Sequence, residues 1–182
     1  MLELASHILD IAENSVRAGA TAVEINIYED SQKNLLTVEI NDDGKGMAEE
    51  EIAKALDPFY TTKKVRRVGL GLPLLSEAAN RSGGSFNLTS IRGIGTKLKV
   101  TFKLDHLDRQ PLGNIMTTIR NLIAGNSSVD FIYKHRHNDR QFVLDTREIR
   151  KEIDDLPINH PEILKYIRNV IEDGLNEIQS AA

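Results

Sequence analysis

The stretch LTVEINDDGKGM, residues 36–47, leads from a strand into a glycine-rich turn. Apolar and polar residues alternate over 36–40, and this period of two predicts a strand with one buried face. Asp43 follows the strand, and Gly44 and Gly46 come after it. A carboxylate in this position can accept a hydrogen bond from an exocyclic amine, while paired glycines let the backbone approach a ligand closely. A plain Asp-Gly turn remains the alternative for this stretch alone.

Helices and strands alternate on both sides of this stretch. Apolar residues recur at helical spacing over 4–16, and a second alternating strand covers 23–27. A short helix to residue 56, a helix through 75–79 and a hairpin over 85–104 follow. This order of elements predicts an α/β (α+β) two-layer sandwich, in which helices cover a mixed, mainly antiparallel sheet.

The pattern changes after residue 104. Residues 105–182 show helical spacing near both ends and two alternating strands between them, which is typical of a small α+β unit. We therefore predict two domains, 1–104 and 105–182, and the lack of a Gly/Ser- or Pro-rich linker predicts that the second packs on the first. His135, His137 and Asp139 lie in the predicted turn between the two strands. A solvated hairpin tip is favoured there over a metal site.

Composition limits the class of protein. The chain has 182 residues, of which 40% are hydrophobic, and its charges sum to 23 − 27 = −4. The lack of cysteine excludes a disulfide framework, a thiolate metal site and a cysteine nucleophile. The sequence also lacks a GxxxxGK[ST] phosphate loop, a GxSxG elbow and an HExxH motif. No apolar run approaches the roughly 18 residues of a membrane span, so we expect a cytoplasmic protein without a membrane or nucleic-acid partner.

Three further segments carry weak chemical signals. Asp10 and Asn14 share one face of the first helix, where a carboxylate could polarise a nucleophile and an amide could complete a Mg²⁺ shell. Gly69 and Gly71 stand at the start of a helix, whose free N–H groups attract anions. Thr96 opens a strand and could support the same ligand. A polar helix face, a flexible loop and a hairpin turn are the alternatives, so the ordered combination is what indicates a site.

In this order the segments resemble the ATP-binding domain shared by gyrase B, histidine kinases and mismatch-repair ATPases, which has the Bergerat fold. The similar segments are residues 7–20 (N box), 43–46 (G1 box), 57–63 (F box), 69–72 (G2 box) and Gly95-Thr96 (the closing element). The resemblance covers somewhat over half of the chain and implies ATP as ligand with Mg²⁺. The whole chain also resembles small stand-alone bacterial ATP-binding proteins of the histidine-kinase-like or anti-sigma-like kind.

The resemblance implies roles for individual residues. Asp43 and Thr96 would recognise adenine, Asn14 would join Mg²⁺ and the phosphates, and Asp10 is the candidate base. The other implied ATP contacts are Gly44, Gly46, Met47, Lys63, Gly69, Leu70, Gly71 and Leu72. There are two departures: Arg67 stands where family members often carry glycine, and Asp10 takes a position that is commonly Glu in ATPases and serine kinases and often Asn in histidine kinases.

The loop between the F-like and G2-like segments is short and basic. It contains Lys63, Lys64, Arg66 and Arg67. Such a cluster can clamp a triphosphate or attract it from solution. A solubilising loop is the alternative, and the position of the cluster between the two boxes favours the phosphate role.

Three interpretations of the ATP chemistry stay open. The favoured one is an ATP- and Mg²⁺-dependent protein kinase or anti-sigma-like switch, acting on a hydroxyl of an unidentified protein partner. The alternatives are a nucleotide-gated binding module or slow ATPase, and a histidine-kinase catalytic domain acting in trans. Asp10 favours a hydroxyl or water acceptor, because an imidazole needs no strong base. His7 is interpreted as structural, and residues 105–182, whose role is unknown, could form a homodimer surface.

Overall fold

The computed structural model describes residues 3–57, 71–153 and 156–180. The helices are α1 (Leu4–Arg17), α2 (Glu49–Ala55), α3 (Gly71–Arg81), α4 (Ile115–Gly125), α5 (Thr146–Glu152) and α6 (Pro161–Ile178). The strands are β1 (Ala22–Asp30), β2 (Leu35–Asp42), β3 (Ser85–Ile91), β4 (Gly95–Lys103), β5 (Asp130–His137) and β6 (Arg140–Asp145). None of the helices in these segments is long and apolar enough to span a membrane.

The strands of the described residues form one sheet in the order β3-β4-β2-β1-β5-β6. Neighbouring strands are antiparallel, except that β1 and β5 run parallel with Ile25 opposite Tyr133. The predicted sandwich with a mixed, mainly antiparallel sheet is confirmed. The parallel pairing of β1 and β5 was not predicted. The two strands are about a hundred residues apart, and no local sequence pattern indicates which distant strands pair.

One face of the sheet forms the core with the helices. The inward side chains of β1, β2 and β4 are almost fully buried: Val23, Ile25, Ile27, Leu36, Val38, Ile40, Leu98, Val100 and Phe102. From the helical layer, α1 buries Leu4, Ile8 and Ile11 against them. Burial of one such side chain contributes about 1.5–3 kcal/mol, so this layer holds α1 firmly on the sheet. The polar stripe of α1 that carries Asp10 and Asn14 is thereby placed beside the end of β2.

The predicted division into 1–104 and 105–182 stays a prediction, and the sheet runs across that boundary. β5 pairs with β1 along its whole length, and Phe131 and Tyr133 belong to the same buried cluster as Ile25. The region after residue 104 also contains α5, a helix that the sequence analysis did not predict. Its N-cap is Asp145, whose carboxylate accepts the N–H of Arg147.

The prediction that His135 lies at a solvated hairpin tip is wrong. The strands β5 and β6 extend to His137 and Arg140, so that the turn contains only two residues, and Asn138 takes a left-handed conformation there (φ 52°). His135 is therefore well inside β5, and it is 0% exposed. Among the described residues, no group of three or more His, Cys, Asp or Glu side chains is placed to hold a metal ion.

The imidazole of His135 belongs to a buried polar cluster. Its Nε2 lies 2.7 Å from Oε1 of Glu29, which is 2% exposed, and its Nδ1 lies 2.7 Å from the Tyr133 hydroxyl. Ser180, just after α6, donates to the same Glu29 oxygen at 2.6 Å. Burial, reinforced by the charge of Glu29, raises the pKa of Tyr133 well above its ordinary value, so the phenol stays protonated. The cluster joins the end of α6 to β1 and β5.

Candidate functional site

A cavity of about 430 Å³ opens between α1, the ends of β2 and β4, and the start of α3. The predicted site residues that line it are Asp10, Asn14, Gly46, Met47, Gly71, Leu72 and Thr96. Its apolar wall includes Ile40, Leu88 and Leu98. An apolar cavity with a few polar groups at fixed positions is the usual form of a small-molecule site.

Asp42 supplies the carboxylate in this cavity. Its Oδ2 accepts a hydrogen bond from the Ser15 hydroxyl at 2.6 Å, and its Oδ1 accepts the N–H groups of Gly44 at 3.0 Å and Thr96 at 3.3 Å. The carboxylate is thus held from α1, from the turn after β2 and from β4 at once. A side chain restrained from three directions is well placed to recognise one polar group of a ligand.

Asp43, the residue predicted for this role, is not brought to the cavity. Its Oδ1 accepts the N–H groups of Thr21 at 2.7 Å and Ala22 at 2.9 Å, and its Oδ2 accepts the Thr21 hydroxyl. Desolvation opposes ionisation, but these hydrogen bonds outweigh it and hold the pKa of Asp43 below its ordinary value of 3.8. Asp43 ties the turn after β2 to the start of β1, and the residue before it, Asp42, is the carboxylate that lines the cavity.

A second group of hydrogen bonds joins the glycine-rich turn to the hairpin of β3 and β4. The Ser90 hydroxyl lies 2.9 Å from that of Thr96 and accepts the N–H of Met47 at 2.8 Å. The N–H of Gly93 donates to the Lys45 carbonyl at 2.7 Å. Thr96 is therefore linked both to Asp42 and, through Ser90, to the backbone at Met47.

Two glycines are required where these backbones meet. Gly46 has a φ of 60°, and a Cβ on it would lie 2.0 Å from the carbonyl oxygen of Ile91. Gly95 has a φ of 138°, and a Cβ there would lie 1.9 Å from the carbonyl oxygen of Asp42. Both distances are far below contact distance, so a side chain at either position would push the hairpin away from the turn. The paired glycines thus set the close packing of the cavity floor.

The α1 wall of the cavity carries Asp10, Asn14 and Arg17. Nη2 of Arg17 donates to Oδ1 of Asn14 at 2.6 Å, and its Nη1 lies 3.2 Å from the carboxylate of Glu13. Oδ2 of Asp10 contacts Gly71 so closely that a Cβ on this glycine would lie 1.9 Å from it. The α1 wall therefore carries a carboxylate beside the beginning of α3 and, further along the helix, an amide oxygen bound to a guanidinium.

Three predicted site residues lie outside the described residues: Lys63, Gly69 and Leu70. The rest of the basic loop, Lys64, Arg66 and Arg67, lies outside them too. Gly44, the remaining predicted residue, is buried, and its N–H group donates to the Asp42 carboxylate. The described residues thus form the floor of the cavity, its α1 wall and the start of α3.

Sequence reasoning missed Asp42, Ser15 and Arg17. The alternation that places Leu36, Val38 and Ile40 inward also places Asp42 inward and Asp43 outward. Extending the pattern of β2 by two residues would therefore have predicted Asp42. Ser15 follows Asn14 directly, and Arg17 lies three residues after Asn14 on the helix. Nothing in their residue types separates them from other polar residues of α1 until β2 is in place.

The segments that supply these residues match a known family. The profile of the "Histidine kinase-, DNA gyrase B-, and HSP90-like ATPase" family matches residues 2–106, more than half of the chain. The chain belongs to this family. The resemblance inferred from the ordered boxes is therefore confirmed, and residues after 106 lie outside the matched region.

Curated relatives are similar over about half of the chain. Sensor histidine kinases YvrG and WalK of Bacillus subtilis are 30% identical over 94 residues and 31% identical over 101 residues, covering 50% and 53% of this chain. Sensor histidine kinase YxdK of the same organism is 28% identical over 99 residues and covers 50% of this chain. The chain spans only 16%, 16% and 30% of the lengths of YvrG, WalK and YxdK.

Solved structures show the same fold over a larger part of the chain. The N-terminal domain of a DNA repair protein superposes with a TM-score of 0.56 at 17% identity, covering 80% of this chain and 53% of that one. The Aquifex aeolicus MutL ATPase domain, solved with ADP, gives a TM-score of 0.50 at 18% identity and covers 80% and 63%. At these identities the likeness shows the fold alone.

Proposed function

We propose that this protein binds Mg²⁺-ATP in the cavity between α1, β2, β4 and α3. The observation that carries the proposal is the Asp42 carboxylate, held by Ser15, Gly44 and Thr96 at one end of the cavity. Asp10 and Asn14 lie on the α1 wall of the same cavity. These groups match the two halves of a nucleotide. The Asp42 carboxylate can accept a hydrogen bond from the base, and the polar groups along the wall can bind the phosphates.

Asp42 is the acceptor that we assign to adenine. An ionised carboxylate offers about four lone-pair sites, and the Ser15, Gly44 and Thr96 contacts leave room for one further donor. The exocyclic amino group of adenine is such a donor. The apolar side chains of Ile40 and Leu98 line the same region and suit the faces of the ring.

Asn14 and Arg17 are the residues that we assign to Mg²⁺ and the phosphates. Mg²⁺ prefers oxygen ligands and keeps several bound waters. The Asn14 carbonyl oxygen would therefore complete a shell made of phosphate oxygens and water. This oxygen accepts a hydrogen bond from Arg17, and binding the ion would free the guanidinium to pair with a phosphate. When bound, Mg²⁺ neutralises charge on the phosphates during transfer. Gly71, at the start of α3, and the loop residues Lys63, Gly69 and Leu70 complete the proposed phosphate contacts.

We further propose that the chain acts as an ATP-dependent kinase or switch on a separate protein with a hydroxyl acceptor. The acceptor oxygen would bond to the γ-phosphorus, the bond from that phosphorus to the β,γ-bridging oxygen would break, and ADP would leave with the electron pair. Asp10 would take the hydroxyl proton, a role that suits a carboxylate beside the phosphate end of the cavity. With water as acceptor, the same groups would give a slow ATPase or a nucleotide-gated binding module.

Histidine phosphorylation in trans is the second candidate. It is supported by the sensor histidine kinases among the relatives, which are similar over about half of this chain. Asp10 argues for the hydroxyl or water acceptor instead, since an imidazole is already nucleophilic and needs no base. We therefore favour a hydroxyl or water acceptor over histidine.

Titration with ATP in the presence and absence of Mg²⁺ tests the binding proposal. Asp42→Asn should weaken binding at least about tenfold, because a hydrogen bond to a charged group contributes about 1.5–3 kcal/mol. The neighbouring Asp43→Asn is the matched control and should bind within about twofold of the wild type, since its carboxylate faces Thr21 and Ala22. Equal affinity for wild type and Asp42→Asn, both shown to be folded by thermal melting, would refute the site assignment.

A further inference from the structure

The segment between β4 and α4 lies against the first turn of α1. The N–H groups of Leu4 and Ala5 donate to the carbonyl oxygens of Pro111 at 3.0 Å and Leu112 at 2.8 Å. Glu3, the N-cap residue of α1, makes no capping hydrogen bond with its side chain. The first N–H groups of a helix have no partner within it, so this segment supplies partners that the helix needs.

Gln110, from the same segment, reaches the ring of His7. Its Oε1 lies 3.0 Å from Nε2 of His7, and the ring is 1% exposed. Burial lowers the pKa of His7 below its ordinary value of 6.5. The hydrogen bond with Gln110, the Gly71 backbone and the Asp10 carboxylate favour the charged ring, but burial outweighs them. Nδ1 has no hydrogen-bond partner among the described residues. Near pH 7 the ring is neutral, and its contact with Gln110 is its one described side-chain hydrogen bond.

His7 lies directly behind the phosphate end of the cavity. It precedes Asp10 by three residues, so the two side chains leave α1 on neighbouring positions of one face. The Asp10 carboxylate rests on Gly71, where α3 begins. The ring of His7 is thus buried beside the junction of Asp10 and the first residue of α3, with Gln110 on its other side.

We infer that His7 is a positioning residue which couples the segment of Gln110 to the phosphate end of the nucleotide cavity. This inference rests on the proposed function. A shift of the segment would move the ring and with it the contact between Asp10 and Gly71, on which the placement of the phosphates depends.

The coupling has a structural route to the C-terminal elements. Asn114 ends the segment and caps α4, its side chain accepting the N–H of Thr117 at 2.9 Å. α4 packs on both α1 and α6, and its Ile119 and Leu122 are almost fully buried in the common core. A partner protein that displaces α4 or α6 would therefore change ATP affinity through Gln110 and His7, and by linkage ATP would change affinity for that partner.

Affinities of wild type and variants for Mg²⁺-ATP and for adenosine test the inference. His7→Leu and Gln110→Leu each remove the hydrogen bond and should weaken ATP binding about 3- to 10-fold, the effect of one neutral hydrogen bond. Adenosine affinity should stay within twofold, because Asp42 lies at the other end of the cavity. His7→Gln, which keeps a donor near the position of Nε2, should restore most of the ATP affinity. The double Leu variant should be no weaker than either single one.

Gln141→Leu, on an exposed position of β6, is the matched control and should bind ATP as the wild type does. Unchanged ATP affinity in folded His7→Leu and Gln110→Leu would overturn the inference while leaving the proposed site intact. Equal losses for ATP and adenosine, or additive losses in the double variant, would also overturn it, because they indicate general loosening. Failure of the wild type to bind Mg²⁺-ATP would instead refute the proposed function.

Discussion

The hydroxyl of Ser15 lies 2.6 Å from the Asp42 carboxylate, a contact that joins α1 to the end of β2 across the floor of the cavity. Ser15 is buried, so its hydroxyl orients the carboxylate without competition from water. The helix that carries Asp10 and Asn14 and the strand that carries Asp42 are thereby held in one geometry.

Ser15→Ala should lower both stability and nucleotide affinity. The partly buried Asp42 carboxylate loses a charge-assisted hydrogen bond, which contributes about 1.5–3 kcal/mol. We expect a fall of this size in the free energy of unfolding, measured with urea, and ATP binding weaker by about tenfold. Ser85→Ala, which removes an exposed hydrogen bond to Thr101 on β4, is the control; it should cost no more than about 1 kcal/mol of stability and leave ATP binding unchanged. Wild-type ATP affinity in Ser15→Ala would contradict the view that this contact orients Asp42.

Asp10→Asn should separate binding from chemistry. The substitution keeps the size of the side chain and removes its basicity, so ATP affinity should stay within about threefold while turnover falls about 10²–10⁴-fold. ADP release and partner phosphorylation are the two measurements. Asp173→Asn, at an exposed position of α6 outside the cavity lining, is the control and should retain both. Turnover at the wild-type rate in Asp10→Asn would leave the nucleotide-gated binding module as the better interpretation.

Gly46→Ala and Gly93→Ala form a matched pair. Both glycines have positive φ, 60° and 79°, so each alanine variant pays a similar conformational penalty of about 1–3 kcal/mol. Only at Gly46 does the new Cβ meet the Ile91 carbonyl oxygen, since it has open space at Gly93. Gly46→Ala should therefore melt at a clearly lower temperature and lose ATP binding, whereas Gly93→Ala should keep it. Identical behaviour of the two variants would argue against the close approach.

The buried pair of His135 and Glu29 should contribute strongly to stability. His135→Leu removes the hydrogen bond between Nε2 and the buried Glu29 carboxylate and leaves Ser180 as a donor to it, and loss of a hydrogen bond to a carboxylate costs about 1.5–3 kcal/mol. Lys134→Met removes the partly exposed pair with Glu24 on the other face of the sheet and should cost less than about 1 kcal/mol. Urea unfolding measures both. Similar small losses for the two variants would show that the cluster at His135 adds no more than a surface pair.

Acid sensitivity should depend on Asp43. Its pKa is below 3.8 in the folded protein, so its hydrogen bonds to Thr21 and Ala22 stabilise the fold above that pH, and this stability is lost as the pH falls through the folded pKa. Asp43→Asn should therefore have a lower melting temperature at pH 7 and a shallower decline between about pH 5 and 3. Asp139→Asn, in the exposed turn before β6, is the control. A decline as steep as that of the wild type would contradict this role.

Several parts of the candidate site could be predicted because short sequence patterns indicate them. Asp10 and Asn14 lie four residues apart, and α-helical geometry alone puts them on one wall of the cavity. Gly46 lies in a turn where its φ of 60° limits the residue type, and Thr96 follows Gly95, whose φ of 138° limits the residue type in the same way. Asp43 was predicted in place of Asp42 because two adjacent carboxylates look equivalent in a turn, although the pleat of β2 sends them to opposite faces.

The sequence by itself determined the period of each helix and strand, the glycines of the cavity floor and the membership of residues 2–106 in an ATPase family. These properties are local or repeated along the chain. Only the tertiary structure decided that Ser15 meets Asp42, that β5 lies beside β1, that His135 is buried against Glu29, and that Gln110 reaches His7. Such contacts join residues far apart in the chain, and they form only where packing of the whole core brings their elements together.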